Sequence, residues 1–410
     1  MRAGAAGVAD GLVAVKVRYR LTPWWAKVIV VFVLSRVVTT AIMLNFAARQ
    51  LPNAWTGASP GYADFASIWD GHWYYIISAV GYPSELPITA DGHVGESAWA
   101  FMPAFPAVVR LLMLVTGLDF PVLAVFVSVV CALGAALVFY RLMHLVMPGS
   151  AALFAVVLFC VAPLSPILQV SYAESMHVLL LVSALFLLLE RRYLMLLPVI
   201  AVMALTRPSG LAFALTLALH VGYRFVRRHR EEFPVRERVA SVIAAFFSGF
   251  MGIAWLLIAW AITGSPTAYT DTELAWRAAY VGYQDLVPFT PWFSAAGFWS
   301  GQWGVPLPLL VVILVILILG FFAALFTPWA KRLGVDLRLW IASYALYLLA
   351  VFFPQSSTFR LLVPLFPALG AFAVPRSPWY RIGLVLLCIA GQVAWVNIGW
   401  WVDGYDWTPP

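Results

Sequence analysis

Residues 305–326 read VPLPLLVVILVILILGFFAALF, a run that contains no charged side chain. About 20 apolar residues in a helix cross the hydrocarbon core of a bilayer, so this run predicts a transmembrane helix. The whole chain has the same character, because 63% of its 410 residues are hydrophobic and 10% are charged. A soluble domain could not cover so much apolar surface. The composition therefore excludes a soluble enzyme, a disordered chain and a nucleic-acid-binding protein.

Apolar segments recur along the chain between charged or proline- and glycine-containing ends. They predict an all-α polytopic integral membrane protein with about eleven transmembrane helices. In chain order these segments are 24–48, 120–147, 151–161, 175–189, 193–205, 211–225, 239–262, 305–326, 339–353, 361–374 and 382–401. Several are shorter than a full crossing, and prolines between residues 151 and 205 predict broken or re-entrant helices there.

The distribution of basic residues predicts the orientation in the membrane. With the N-terminus in the cytoplasm, most of the 25 lysines and arginines fall on cytoplasmic loops and helix ends, as the positive-inside rule expects. The net charge of +7 then reflects how the chain is oriented in the membrane, which we expect to be the inner (plasma) membrane. It does not indicate a nucleic-acid partner. The predicted parts are a cytoplasmic tail (1–23), a first transmembrane helix (24–48), an extracytoplasmic loop (49–119), transmembrane helices two to seven (120–262), a second extracytoplasmic loop (263–304), transmembrane helices eight to eleven (305–402) and an extracytoplasmic tail (403–410).

The two long extracytoplasmic loops are too long to be simple connections. Within the first, residues 65–79 predict an interfacial helix that lies in the membrane plane, and residues 102–116 predict a surface or partly inserted helix on the outer side. The second loop contains Asp271, Glu273, Arg277 and Asp285. From its position we expect it to cover a functional site on the outer side and to select the acceptor substrate that enters it. The spacing of the acidic residues in the first loop matches no metal-binding motif, so no metal or other cofactor is predicted, and metal dependence stays open.

Four polar clusters interrupt the apolar background, and the predicted topology puts all four on the extracytoplasmic side. They are residues 67–74, 171–175, 206–210 and 355–360. Asp70, between Trp69 and Trp73, is the candidate general base, because partial burial can tune a carboxylate for proton transfer. The alternative is an N-capping aspartate beside a belt of interfacial tryptophans.

Three arginines are the candidates for holding an anionic group. Arg207 and Arg360 fall at predicted outer helix ends, and Arg36 lies within the first transmembrane helix. A charge inside the membrane costs free energy, so an arginine there is a candidate functional residue. Their planar guanidinium groups suit phosphate, although an arginine can also extend to lipid headgroups. The candidates for binding a sugar or an acceptor are Trp69, His72, Trp73, Tyr74, Tyr172 and Glu174; for the aromatic residues among them, an interfacial belt is the competing interpretation.

At these clusters the sequence resembles a polytopic GT-C glycosyltransferase, in particular bacterial members of the GPI mannosyltransferase II (PIG-V-like) family. The resemblance rests on WD at 69–70 with WY at 73–74, FMPAFP at 101–106, YAES at 172–175, RPSG at 207–210 and STFRLLVPLFP at 357–367. Two departures are Ser209, where the family usually has asparagine, and Phe359, which precedes Arg360 where the family commonly has arginine followed by tyrosine.

The resemblance implies a GT-C-type bundle that transfers a sugar, usually mannose, from a polyprenyl-phosphate donor lipid. The acceptor is a hydroxyl of a glycolipid, glycan or protein at the extracytoplasmic face. It implies that Asp70 deprotonates the acceptor, while Arg207, with Arg360, holds the donor phosphate. An inverting displacement needs one carboxylate, and a phosphate leaving group needs cations rather than a general acid.

Three other functions stay open on the sequence alone. The same fold could use another polyprenyl-phosphate sugar, such as a pentose or glucose. A flippase or transporter for a lipid-linked sugar would need an ionisable path through the bilayer centre, where Arg36 stands alone among the candidates. A non-catalytic scaffold subunit would tolerate the loss of Asp70.

Overall fold

The structure, a computed structural model, describes residues 21–402. The predicted tail 403–410, and the predicted tail 1–23 up to residue 20, lie outside the described residues. Between residues 21 and 402 the chain is helical, and its only pairing of β type is a single antiparallel bridge between Ile88 and Val94. The predicted all-α architecture is confirmed.

Fourteen helices of eight or more residues make up the described part of the chain. They are α1 (Trp24–Ala47), α2 (Asp70–Val80), α3 (Ala104–Thr116), α4 (Phe120–Val146), α5 (Gly149–Val161), α6 (Glu174–Leu189), α7 (Tyr193–Ala204), α8 (Gly210–Val226), α9 (Val235–Thr263), α10 (Ala268–Val281), α11 (Pro291–Trp303), α12 (Leu307–Ala324), α13 (Gly334–Val351) and α14 (Pro378–Trp395).

Six of these helices are long and apolar enough to cross a membrane: α1, α4, α9, α12, α13 and α14, the last continued to Trp400 by a π-helical turn. Helices α5 to α8 are apolar but shorter. With a rise of 1.5 Å per residue, the 13 residues of α5 reach about 20 Å, less than the roughly 30 Å of a bilayer core. Between α5 and α6 the chain forms a buried 3₁₀ segment, Ser165–Gln169.

The predicted span 361–374 differs from expectation. It consists of the turn Thr358–Leu361, the 3₁₀ segment Val363–Ala368 and the turn Leu369–Phe372. Pro364 and Pro367 lie within it, and proline removes a backbone donor and breaks α-helical hydrogen bonding. This stretch is a broken, partly buried connection between α13 and α14.

Two pairs of helices in the bundle pack closely against each other. Helix α4 packs on α6, where a side chain at Gly134 would meet Leu179 at 3.2 Å. Helix α8 packs on α9, where a Cβ at Gly210 would lie 2.7 Å from the Cα of Gly252. In contrast, α12 has no buried residue and most of its apolar side chains are exposed, as expected for a helix that largely faces lipid.

The two long loops carry helices of their own. The first contains α2 and α3, close to the predicted 65–79 and 102–116, except that the chain breaks at Trp69 and the residues before it form the separate turn Tyr62–Phe65. The second loop contains α10 and α11, and both loops pack over the ends of the bundle helices.

Candidate active site

The start of helix α2 is set by an unusual backbone conformation at Trp69. Its φ of 57° and ψ of −124° lie in a region that L-residues with large side chains rarely adopt. The conformation persists because the indole is buried and its Nε1 donates to the carbonyl oxygen of Trp400 at 3.2 Å. The break leaves Asp70 as the first residue of the helix.

Asp70 contacts residues from two distant parts of the chain. Its carboxylate forms an ion pair with Arg360, and its backbone N–H donates to the hydroxyl of Tyr172 at 3.1 Å. The Arg360 guanidinium also lies over the Tyr172 ring, 5.3 Å from its centroid. Three of the polar clusters predicted from sequence therefore meet at Asp70.

Glu174 links this pair to a second arginine. Its Oε1 lies 3.5 Å from Nε of Arg360 and 3.4 Å from Nη2 of Arg207. The four side chains form a row of alternating charge, Asp70–Arg360–Glu174–Arg207, which we call the charge row. Its formal charge is zero, so each buried ion is compensated by a neighbour, as burial requires.

Both arginines of the charge row stay protonated. Burial acts to lower the pKa of Arg207, but the negative charges of Glu174 and Asp70 outweigh it, and the pKa is raised. Burial likewise opposes the charge of Arg360, and Asp70 followed by Glu174 reverses that effect, so its pKa is also raised. The row therefore presents two permanent cations to any ligand.

The segment 205–210 holds Arg207 at the junction of α7 and α8. Arg207 is followed by Pro208, and the first residue of α8, Gly210, lies against the backbone of α9. Ser248 of α9 donates its hydroxyl to the carbonyl of Gly210 at 2.8 Å. Glycine is required here because a Cβ would overlap the facing backbone.

The charge row lines a cavity of about 610 Å³. This is within the range of sites that bind a small-molecule ligand. Trp69, Trp73 and Tyr74 line it beside the row, so seven of the ten predicted site residues reach this one cavity. Tyr172 lies behind the lining, under Asp70 and Arg360.

Arg36 is not part of this arrangement. Its guanidinium donates to the carbonyls of Cys160 (2.6 Å) and Ser165 (3.0 Å) and to Oε1 of Gln169 (2.9 Å). The structure therefore corrects its predicted place beside the phosphate-binding arginines. Through its bond to Cys160, in the last turn of α5, this buried cation caps a C-terminal carbonyl of that helix, where the helix dipole favours positive charge.

His72 is also separate from the cavity. Its ring is exposed and contacts Trp55 (centroids 5.6 Å apart) and Tyr75 (6.3 Å) on the outward side of α2. Asp70 and Trp73 are three residues apart and share one helix face, while His72 points to another.

Several residues that line the cavity are not among the candidate site residues predicted from the sequence, or are predicted only as part of the second loop. Glu273 belongs to α10 of the second loop, and Tyr269 lies one turn before it. Their spacing of four residues was a signal that both face the same way. Tyr344 and Tyr347 of α13 also line the cavity, but in an apolar segment they could not be distinguished from aromatic residues that face lipid.

No protein-family model and no curated protein sequence matches this chain. Among solved structures, it is similar to the crystal structure of an oligosaccharyltransferase from Archaeoglobus fulgidus tethered with an acceptor peptide through a disulfide bond. The TM-score is 0.45 and the sequence identity 13%, over 90% of this chain and 54% of that chain. This chain thus spans about half the length of that protein, and similarity at this level assigns no function.

Proposed function

We propose that this protein is a membrane-embedded inverting glycosyltransferase. It moves a mannosyl residue from a polyprenyl-phosphate mannose to a hydroxyl of a glycolipid, glycan or protein acceptor on the extracytoplasmic face of the plasma membrane. The observation that carries the proposal is the charge row on the cavity wall, with one partly exposed carboxylate, Asp70, beside two arginines that stay charged.

The charge row supplies the groups that this reaction needs. Asp70 accepts the proton of the acceptor hydroxyl while the oxygen of that hydroxyl forms a bond to the anomeric carbon of the donor sugar. The bond from that carbon to the phosphate oxygen breaks on the opposite side of the ring, and the electron pair stays on the phosphate. Arg207 and Arg360 stabilise the negative charge that develops there, because fixed cations in a buried site act most strongly on charge that appears in the transition state.

Glu174 has a different part in the proposal. It lies 3.4–3.5 Å from both arginines and is itself buried. It keeps the two guanidinium groups compensated and oriented before the donor phosphate arrives, as a buried cation requires. Asp70 is then the carboxylate that is free to exchange its contact with Arg360 for a contact with the acceptor.

The setting supports a lipid-linked donor. The cavity is also lined by α13 and by the first turns of α8, both apolar helices. A polyprenyl chain could therefore pack among apolar side chains while its phosphate reaches Arg207. Mannose, as the sugar, rests on the resemblance of the five motifs, and the extracytoplasmic orientation rests on the distribution of basic residues.

A transfer assay with a panel of donors tests the proposal. Purified protein in nanodiscs receives polyprenyl-phosphate mannose, glucose or arabinose, with extracted membrane glycolipids as acceptors. Products are identified by mass spectrometry, and their anomeric configuration is determined by NMR. We expect transfer from the mannosyl donor with inversion at the anomeric carbon. Transfer from another donor alone would change the sugar and keep the enzyme class. If no donor is consumed and the labelled lipid instead crosses the membrane of proteoliposomes, the protein is a transporter and the proposal is wrong.

A further inference from the structure

A second part of the cavity wall is built by α10 of the second loop. Tyr269, Glu273, Trp276 and Arg277 all line the cavity. Residues at spacings of three and four share one face of a helix, so this part of α10 presents a phenol, a carboxyl and an indole together. None of these side chains belongs to the charge row.

This part of the wall is firmly held. Arg277 donates through Nη2 to the carbonyl of Val351 at the end of α13. The next helix, α11, adds two indole hydrogen bonds to the same region, from Trp292 to the carbonyl of Leu348 and from Trp299 to that of Pro354, each at 2.9 Å. Trp276 meets Trp73 of the first loop edge to face, with centroids 5.7 Å apart.

The charges on this wall do not suit an anion. Arg277 donates a hydrogen bond to a backbone carbonyl, and its positive charge is compensated by Glu273, four residues before it. The carboxyl of Glu273 interacts with the Tyr269 hydroxyl, and burial raises the pKa of Glu273. The carboxyl oxygens of Glu273 can accept hydrogen bonds from the hydroxyl groups of a ligand. Nε1 of Trp276 is buried and has no hydrogen-bond partner among the described residues, so one more donor is available to a ligand.

We propose that Tyr269, Glu273 and Trp276 form a subsite that binds the hydroxyl groups of a sugar ring. Aromatic rings with a few convergent polar groups are what a neutral, hydroxyl-rich ligand needs in a buried site. The subsite rests on the proposed function and adds to it, because it assigns the sugar to α10 and leaves the charge row to the phosphate and the reacting hydroxyl.

The hydroxyl-rich ring has two sources in a glycosyl transfer: the glycosyl group of the donor and the glycan of the acceptor. They are separated by kinetics. If the subsite holds the donor sugar, its loss raises the donor KM and slows hydrolysis of the donor in the absence of acceptor. If it holds the acceptor glycan, the acceptor KM rises and donor hydrolysis is unchanged.

The test compares wild-type protein with Glu273→Gln, Tyr269→Phe and a matched control, Glu85→Gln, an exposed residue of the first loop that does not line the cavity. Saturation-transfer NMR with methyl α-mannoside measures sugar binding to each detergent-purified protein, without any need for turnover. We expect a wild-type signal that the control retains and that Glu273→Gln and Tyr269→Phe each reduce at least fivefold. We also expect a rise of at least tenfold in one of the two KM values.

The two proposals can fail separately. Transfer by the wild type, with both KM values unchanged within twofold in Glu273→Gln and Tyr269→Phe, would overturn the subsite and keep the transferase. Sugar binding that depends on Glu273, without transfer from any donor, would keep the subsite and overturn the proposed function. Tyr269→Phe removes one oxygen atom, so it provides the answer if Glu273→Gln does not fold.

Discussion

Trp400 and Trp69 are joined by a hydrogen bond from the Trp69 indole to the Trp400 carbonyl, at 3.2 Å, and the Trp400 indole donates in turn to the carbonyl of Phe65 at 2.9 Å. Trp400 also lies against Tyr172, the residue that accepts a hydrogen bond from the backbone of Asp70. The end of the last helix thus supports the strained turn that presents Asp70.

Replacing Trp400 by phenylalanine tests this support. The variant leaves the buried Phe65 carbonyl without its donor, which we expect to cost about 1–3 kcal/mol of stability. A displacement of about 1 Å at Asp70 would lower transfer by roughly 10²-fold. Thermal unfolding and single-turnover transfer measure the two effects. Trp395→Phe is the control, because that ring contacts Trp400 but donates no hydrogen bond to the turn; equal loss of activity in both variants would contradict the positioning role.

Asp70→Asn is expected to lower the rate of transfer by roughly 10²–10⁴-fold, the range for a general base. The asparagine keeps the shape of the side chain but cannot take the acceptor proton. Asp64→Asn, an exposed aspartate earlier in the same loop, should keep wild-type activity. Transfer rates of the monodisperse proteins provide the measurement, and an active Asp70→Asn protein would assign the base to another carboxylate.

Gly210→Ala should destabilise the protein and weaken donor binding through Arg207. A Cβ at this position would lie 2.7 Å from the Gly252 backbone, so α8 and α9 must separate. Gly222→Ala, in the same helix and with no atom within 4 Å of the added carbon, should instead stabilise by up to about 1 kcal/mol. Thermal unfolding of the pair tests the close approach, which is refuted if the two alanines behave alike.

Arg36→Gln should lower stability by about 2–3 kcal/mol, because the shorter, neutral amide cannot satisfy the buried carbonyls of Cys160 and Ser165. Thermal unfolding measures this loss. The donor KM separates the two assignments of this residue: in a folded variant, an increase as large as that caused by Arg207→Lys would return Arg36 to the phosphate-binding group.

The stability of the protein should respond to pH through Glu273. Burial raises the pKa of this carboxyl above its ordinary value of 4.5, so the folded state binds the proton more tightly than the unfolded state. The stabilisation that comes from protonating Glu273 is then complete below about pH 4.5, and it is lost as the pH rises through the pKa that Glu273 has in the folded state. Wild-type protein should therefore lose stability relative to Glu273→Gln with rising pH. A difference in Tm between the two that stays constant from acidic to neutral pH would contradict this.

The sequence was sufficient for the fold class, because hydropathy is local. Ten of the eleven apolar segments contain an α-helix of eight or more residues where the composition predicts one, and 305–326 contains α12. The eleventh, 361–374, was predicted as a span although Pro364 and Pro367 break it. Length and apolar content alone predict a span there, because they carry no information on the backbone donors that proline removes.

The candidate site was only partly accessible to sequence reasoning. Asp70, Glu174, Arg207 and Arg360 stand out because they lie in polar clusters of an apolar chain, and the topology rule predicts that they lie on one side of the membrane. That rule gives no position within the layer, so it could not separate Arg36, which caps α5, from the arginines of the cavity. Closeness to Asp70 in the sequence likewise does not fix the helix face, and His72 is exposed on another side of α2.

The sequence by itself determined an all-helical chain with membrane-length segments and two long loops, because the free energy of moving apolar side chains out of water depends on composition and length. Only the tertiary structure decided that Asp70 and Arg360, 290 residues apart, form an ion pair, and that Glu174 lies between two arginines. Charges act through space, and their pairing in a low-dielectric interior depends on helix packing that no local pattern encodes.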